Sequence, residues 1–163
     1  MSLYSLTVTV HVLAALLWVG GMMFLSAVAV PALRHVEPPQ RAQIFRLVGR
    51  QFRWLGWASI GALLVTGVIN LSYYVDGLDD LLSGAFWDTR FGTRLAIKIG
   101  LIGAMLVLSG LHDFVLGPRS VEVSSAGQPG PPPASRRRLA TWLPRTNLLL
   151  GIIVVAVSVG LTR

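Results

Sequence analysis

Residues 3–30 read LYSLTVTVHVLAALLWVGGMMFLSAVAV, with His11 as their one side chain that ionises near neutral pH. At about 1.5 Å per residue, about 20 such residues cross a bilayer. This run is long enough to span with some lean, and it decides the fold class: helices in lipid. A histidine in a lipid-compatible helix faces a bundle interior or a ligand by default. Tyr4, His11 and Trp18 recur every seven residues, and Met22 follows eleven after His11. At about 100° per residue these four share one helix face. Gly20 and Gly21 sit beside it, where a second helix can approach closely. A cleaved leader is a poor fit, because Met1 to Tyr4 has no positive side chain and the run far exceeds a ~7–15-residue apolar core.

The same character extends through the chain. Of 163 residues, 53% are hydrophobic and only 13% charged, about half the charge of an average soluble domain. The net charge of +7 then speaks of loop topology, not of nucleic acid. The chain has no cysteine, which excludes disulfides, thiolate metal sites and iron–sulfur clusters.

Beyond Pro31, which is expected to close the first span, arginines 34, 41, 46, 50 and 53 face a single acid, Glu37. Ile44, Phe45, Val48 and Phe52 recur at helical spacing, so 40–52 reads as an amphipathic headgroup-level helix running into a second span at about 55–74. Trp54, Trp57, Tyr73 and Tyr74 mark that span's ends as an aromatic belt. The connection 75–93 is acidic, with Asp76, Asp79, Asp80 and Asp88. A third span is expected at about 94–116 and a fourth at about 146–161, with Leu139 to Leu143 a separate interfacial piece. Between them 120–135 holds SSAGQPGPPPAS, a Pro/Gly/Ser linker too polar to fold alone. Arginine bias puts loops 31–54 and 117–145 in the cytoplasm and both termini outside. The expectation is one all-α membrane domain over 1–163: a four-transmembrane-helix bundle with an amphipathic cytoplasmic segment between helices 1 and 2.

Each span carries one polar stripe. The third has Lys98, Met105 and His112 spaced by seven, with Ser109 nearby; the second has Ser59, Thr66 and Asn70; the fourth has Asn147, Gly151, Ser158 and Thr162. Polar groups avoid hydrocarbon, so the stripes should meet. By depth, His11, Lys98, Asn70, Thr66 and Ser158 are expected to share an outer-half cavity, and His112, Asp113, His35 and Asn147 the cytoplasmic rim. His11 and His112 then differ by roughly 15 Å in depth and cannot hold one metal ion together. Plainer roles fit the same residues: an interhelical hydrogen bond for His11, snorkelling for Lys98, packing for the methionines, a headgroup-level pair for His112 and Asp113. No zinc-protease motif, phosphate loop or Ser-His-Asp arrangement is present, so hydrolytic chemistry has no support.

The run from His11 through Trp18 to Gly20-Gly21, Pro31, the arginine-rich connection, Thr66-Gly67-Val68-Ile69-Asn70 and Phe91-Gly92-Thr93-Arg94 up to Lys98 together resemble the copper resistance protein D (CopD) family. The resemblance covers most of residues 5–115. It implies a bacterial inner-membrane protein of copper uptake or tolerance. His11 and Lys98 are also similar to the paired positions of HemJ-type membrane protoporphyrinogen oxidases, a four-helix group that carries haem b.

Two functional readings follow, from different classes. In the first, copper is the cargo: imidazole and thioether suit Cu(I), His11, Met22, Met105 and His112 form a sparse ladder of donors, and Lys98 acts as a charge gate. A periplasmic copper-binding protein is the partner this implies. In the second, haem b binds in the bundle with His11 as axial ligand, lined by Trp18, Thr66, Asn70 and Lys98, and passes electrons to a redox partner. A third reading is an accessory subunit of a larger membrane complex. The first is preferred on the family resemblance.

Overall fold

The computed structural model describes residues 2–116 and 134–161, and every regular element among them is helical. Four helices are long and apolar enough to cross a membrane, so the fold is an all-α integral membrane protein. The chain divides into two compact units, Met1–Asp88 and Thr89–Arg163.

The first unit is a helical hairpin. Helix α1 spans Leu3–His35, 33 residues. Ser2 caps it, its hydroxyl accepting from the Ser5 amide at 3.2 Å. Pro31 does not end it. The helix widens into π-type turns at Leu16–Gly20 and Leu25–Ala29, then tightens into a 3-10 turn at Leu33–His35. A proline ring collides with the carbonyl four residues back in a regular α-turn. The wide turn just ahead of Pro31 gives that ring room, which is why the helix outlasts the boundary expected from sequence.

Helix α2, Pro38–Leu71, is a single element of 34 residues. Its first-turn prolines surrender N–H groups that a helix start leaves unbonded anyway. The amphipathic segment and second span expected from sequence are therefore one continuous helix. Two short helices follow, α3 (Leu78–Leu82) and α4 (Gly84–Asp88), bridged by the Trp87 indole donating to the Leu81 carbonyl at 2.9 Å.

The second unit is also an antiparallel pair. Helix α5, Arg90–Gly110, starts at Thr89, whose hydroxyl accepts from the Gly92 amide at 3.0 Å. It continues through wider turns at Leu111–Leu116. Helix α6, Ala134–Leu161, carries Pro144 in its interior. The interfacial piece and fourth span thus form one helix, and residues 134–135 of the expected linker belong to it. Residues 120–133 and Thr162 lie outside the described residues. Near the ends, the Arg94 guanidinium donates to the Gly160 carbonyl. Asn147 Nδ2 donates to the Ser109 hydroxyl at 3.0 Å.

Small residues set the approach of α1 and α2. Gly56 lies under the buried Trp18 ring, with a Cβ position 3.7 Å from Trp18 Cδ1. Gly67 lies under His11, 3.6 Å from Cε1 by the same measure. The face α1 turns inward runs Thr7, His11, Ala14, Trp18, Met22, Leu25, steps of three and four residues that follow one helical stripe.

Candidate functional site

Three polar rungs join α1 to α2 and the turn that follows it, at the end where α1 begins. The Tyr4 and Tyr74 hydroxyls lie 2.9 Å apart, and the Tyr4 ring meets Tyr73 edge-on at 5.0 Å. One turn further in, the Thr7 hydroxyl donates to Asn70 Oδ1 at 2.7 Å. One more turn in, His11 Nδ1 lies 2.7 Å from Thr66 Oγ1. Thr66 is buried and its hydroxyl donates to the Ala62 carbonyl at 2.6 Å. The spacing explains the ladder: positions 7 and 11 of one helix face 70 and 66 of an antiparallel partner, and Tyr74, in the turn after α2, reaches Tyr4. Below His11 the interface turns apolar, with Trp18 and Met22 both buried.

Along α1, Met22 is eleven residues from His11, about 16 Å by helical rise. The two belong to one stripe but cannot share one ion. In the second unit, Lys98 is half-buried and Met105 is 1% exposed, the most enclosed side chain of its helix. His112 pairs with its neighbour Asp113, Nδ1 to Oδ1 at 3.0 Å, with its side chain 43% exposed. Lys98 and His112 are fourteen residues apart, about 21 Å along α5. Ser158 donates back to the Val154 carbonyl at 2.7 Å. His35 is exposed at the end of α1. Among the described residues, no three His, Cys, Asp or Glu side chains gather into a metal cage. His11, Thr66, Asn70, Trp18 and Met22 therefore stand in the first unit, and Lys98, Met105 and His112 in the second.

Two contributors escape the sequence reading. Thr7, 7% exposed, anchors the middle rung; its position four residues before His11 was the available signal. Tyr74 looks like a belt residue, yet it completes the Tyr4 rung. Gly67 and Gly56 are the second kind of omission, since their role appears only once the large partner across the interface is known.

The family model of copper resistance protein D matches residues 46–161. Thr66, Asn70, Lys98, Met105 and His112 fall inside that match and His11 falls before it. A protein of Aquifex aeolicus (strain VF5), described as uncharacterized, is 31% identical over 150 residues, which is 91% of this chain and 88% of that one. The copper transport protein CutJ of Bacillus subtilis (strain 168) is 28% identical over 102 residues, 63% of this chain but 17% of CutJ. No solved structure matches the chain.

Proposed function

The chain belongs to the copper resistance protein D family, and from that premise we propose that it handles copper in the membrane, in uptake or tolerance, with His11 as its principal donor. The observation that carries this reading is the imidazole itself. It lies in a helix otherwise built for lipid, at the inner end of a hydrogen-bonded polar ladder that starts where α1 begins. Polar side chains in hydrocarbon are costly and mark pathways for ions or substrates. CutJ, a relative over part of its length, is named for copper transport. In this reading Met22, Met105 and His112 are further soft or imidazole positions along their own helices, and Lys98 is a charge gate. The protein sits in the bacterial plasma membrane with its arginine-rich loops on the cytoplasmic side.

The test uses the full chain. Purified wild type should hold Cu(I) against a chromogenic chelator, and His11→Ala should weaken that hold at least tenfold, on the order of one lost ligand interaction. Cells expressing His11→Ala should differ from wild type in copper content. His112→Ala should have the smaller effect. If His11→Ala matches wild type in both assays, the reading fails. A Soret band in wild type that His11→Ala loses would replace copper by haem b.

A further inference from the structure

The His11 ring meets Thr66 through Nδ1, and the single proton on the Thr66 hydroxyl bears on which ring nitrogen carries the N–H. Thr66 Oγ1 has a single proton. It is spent on the Ala62 carbonyl, 2.6 Å away, in the i to i−4 back-bond that threonine makes in helices. The other nearby carbonyl, of Leu63, is at 3.5 Å. Toward His11 Nδ1, at 2.7 Å, the same oxygen can therefore only accept. A neutral imidazole carries one N–H, so it sits on Nδ1 and the lone pair sits on Nε2. Metal-bound histidines use this arrangement, with the second ring nitrogen donating to an oxygen that sets tautomer and orientation. Gly67 leaves room for the ring edge, its Cβ position lying 3.6 Å from Cε1.

The charge available around the ring bears on which copper ion it would take. Neither 3–35 nor 38–71 contains a carboxylate. A cation taken into a low-dielectric site pays a desolvation cost that grows with the square of its charge. Without a compensating anion on either helix, a divalent ion is far worse placed than a monovalent one. Neutral imidazole nitrogen is also a good donor for Cu(I).

We propose that Thr66 is a positioning residue that locks His11 with its proton on Nδ1, so that Nε2 binds copper as the monovalent ion. The metal half of this statement rests on the copper reading above; the tautomer half does not. The test is nitrogen NMR on a His35→Gln/His112→Gln chain, which leaves His11 as the single imidazole of the three in the sequence. Silver(I), a monovalent ion that neither gains nor loses an electron here, is the probe, and zinc(II) the divalent control.

Without metal, the ring should show protonated Nδ1 and unprotonated Nε2. Silver(I) should shift Nε2 and leave Nδ1 protonated, and zinc(II) should bind at least tenfold more weakly. Thr66→Ser should keep both features. Thr66→Val should lose the Nδ1 preference and weaken silver(I) binding about 10- to 100-fold, the usual effect of an outer partner. A metal-free ring protonated on Nε2 overturns the proposal without any variant. So does Thr66→Val with an unchanged spectrum and affinity, or zinc(II) bound as tightly as silver(I). If Nδ1 is protonated but silver(I) and Cu(I) move neither nitrogen, the copper reading falls and the metal half with it, while the tautomer lock stands. If metal binds to a ring with the opposite tautomer, the copper reading stands and the lock falls.

Discussion

A methyl group at Gly21 would run into the aromatic ring of Phe52, while at Gly20, next door, it would meet nothing within 4 Å. The pair thus splits into one residue that sets the helix spacing and one that does not. Gly21→Ala should destabilise the purified protein by about 1–3 kcal/mol, the ordinary cost of overpacking. Gly20→Ala should change stability little. Unfolding in mixed micelles with rising SDS would measure both, and Phe52→Leu should recover part of the Gly21→Ala loss. Equal effects at the two positions would mean that the ring does not hold this spacing. The close approach was legible in Gly20-Gly21, because paired glycines inside an apolar run have few other uses. Which glycine makes it was not legible, since neighbours in a helix point about 100° apart and the partner's position is not written in α1. His11 was legible for the opposite reason: it is the one residue in its stretch that lipid would reject. Its partner Thr66 was legible as a residue at the same depth, but not as the one that meets the ring.

The pairing of α1 with α2 rests on rungs whose energies are modest one by one. Interhelical hydrogen bonds in membranes average about 0.6 kcal/mol and reach about 1.7. Thr7→Val, Asn70→Leu and the double variant should therefore give a coupling energy of that size in SDS unfolding; a coupling of zero would remove the rung from the account. Thr7 was easy to overlook because a helical threonine usually satisfies itself, and this one also lies 2.9 Å from the Tyr4 carbonyl. The elements themselves were largely legible: four apolar runs give four membrane-length helices. Their ends were not. Pro31 was read as a boundary and 139–143 as a piece apart from the fourth span, but Pro31 lies within continuous helix and one helix carries both 139–143 and the fourth span. Sequence shows that proline costs a helix a hydrogen bond; it does not show whether a wider turn or a neighbour absorbs that cost. The amphipathic 40–52 segment joins the second span because Arg53 to Leu55 offers no helix-breaking residue.

Across the whole molecule, the charge pattern makes a claim about orientation. Arginines crowd the first half of α2 and positions 136–138 near the start of α6, and aspartates fill the connection after α2. Both termini should be outside and both arginine-rich segments in the cytoplasm. A C-terminal tag cleaved by protease in intact spheroplasts is the expected result, and one protected until the cells are opened reverses the assignment. Spans and orientation can be argued from one sequence because they depend on composition alone; which stripe meets which depends on helix rotation, and composition says nothing of that. One feature of the first hairpin also bears on the lipid itself. At about 1.5 Å per residue, α1 and α2 are each about 50 Å long, against roughly 30 Å of hydrocarbon. Helix α2 resolves the excess by bearing Arg41, Arg46, Arg50 and Arg53 on the turns that outrun the acyl chains. Helix α1 has no such relief, since no Lys, Arg, Asp or Glu interrupts it before Arg34. The surplus therefore becomes an elastic load on the surrounding lipid, which must thicken around α1 or let the hairpin slant, at a fraction of a kcal/mol for each ångström of mismatch, on the order expected for spanning helices. The hairpin that carries His11 is thereby coupled to acyl-chain length, and a cell that remodels its fatty acids changes the mechanical setting of the site without altering a residue of the protein.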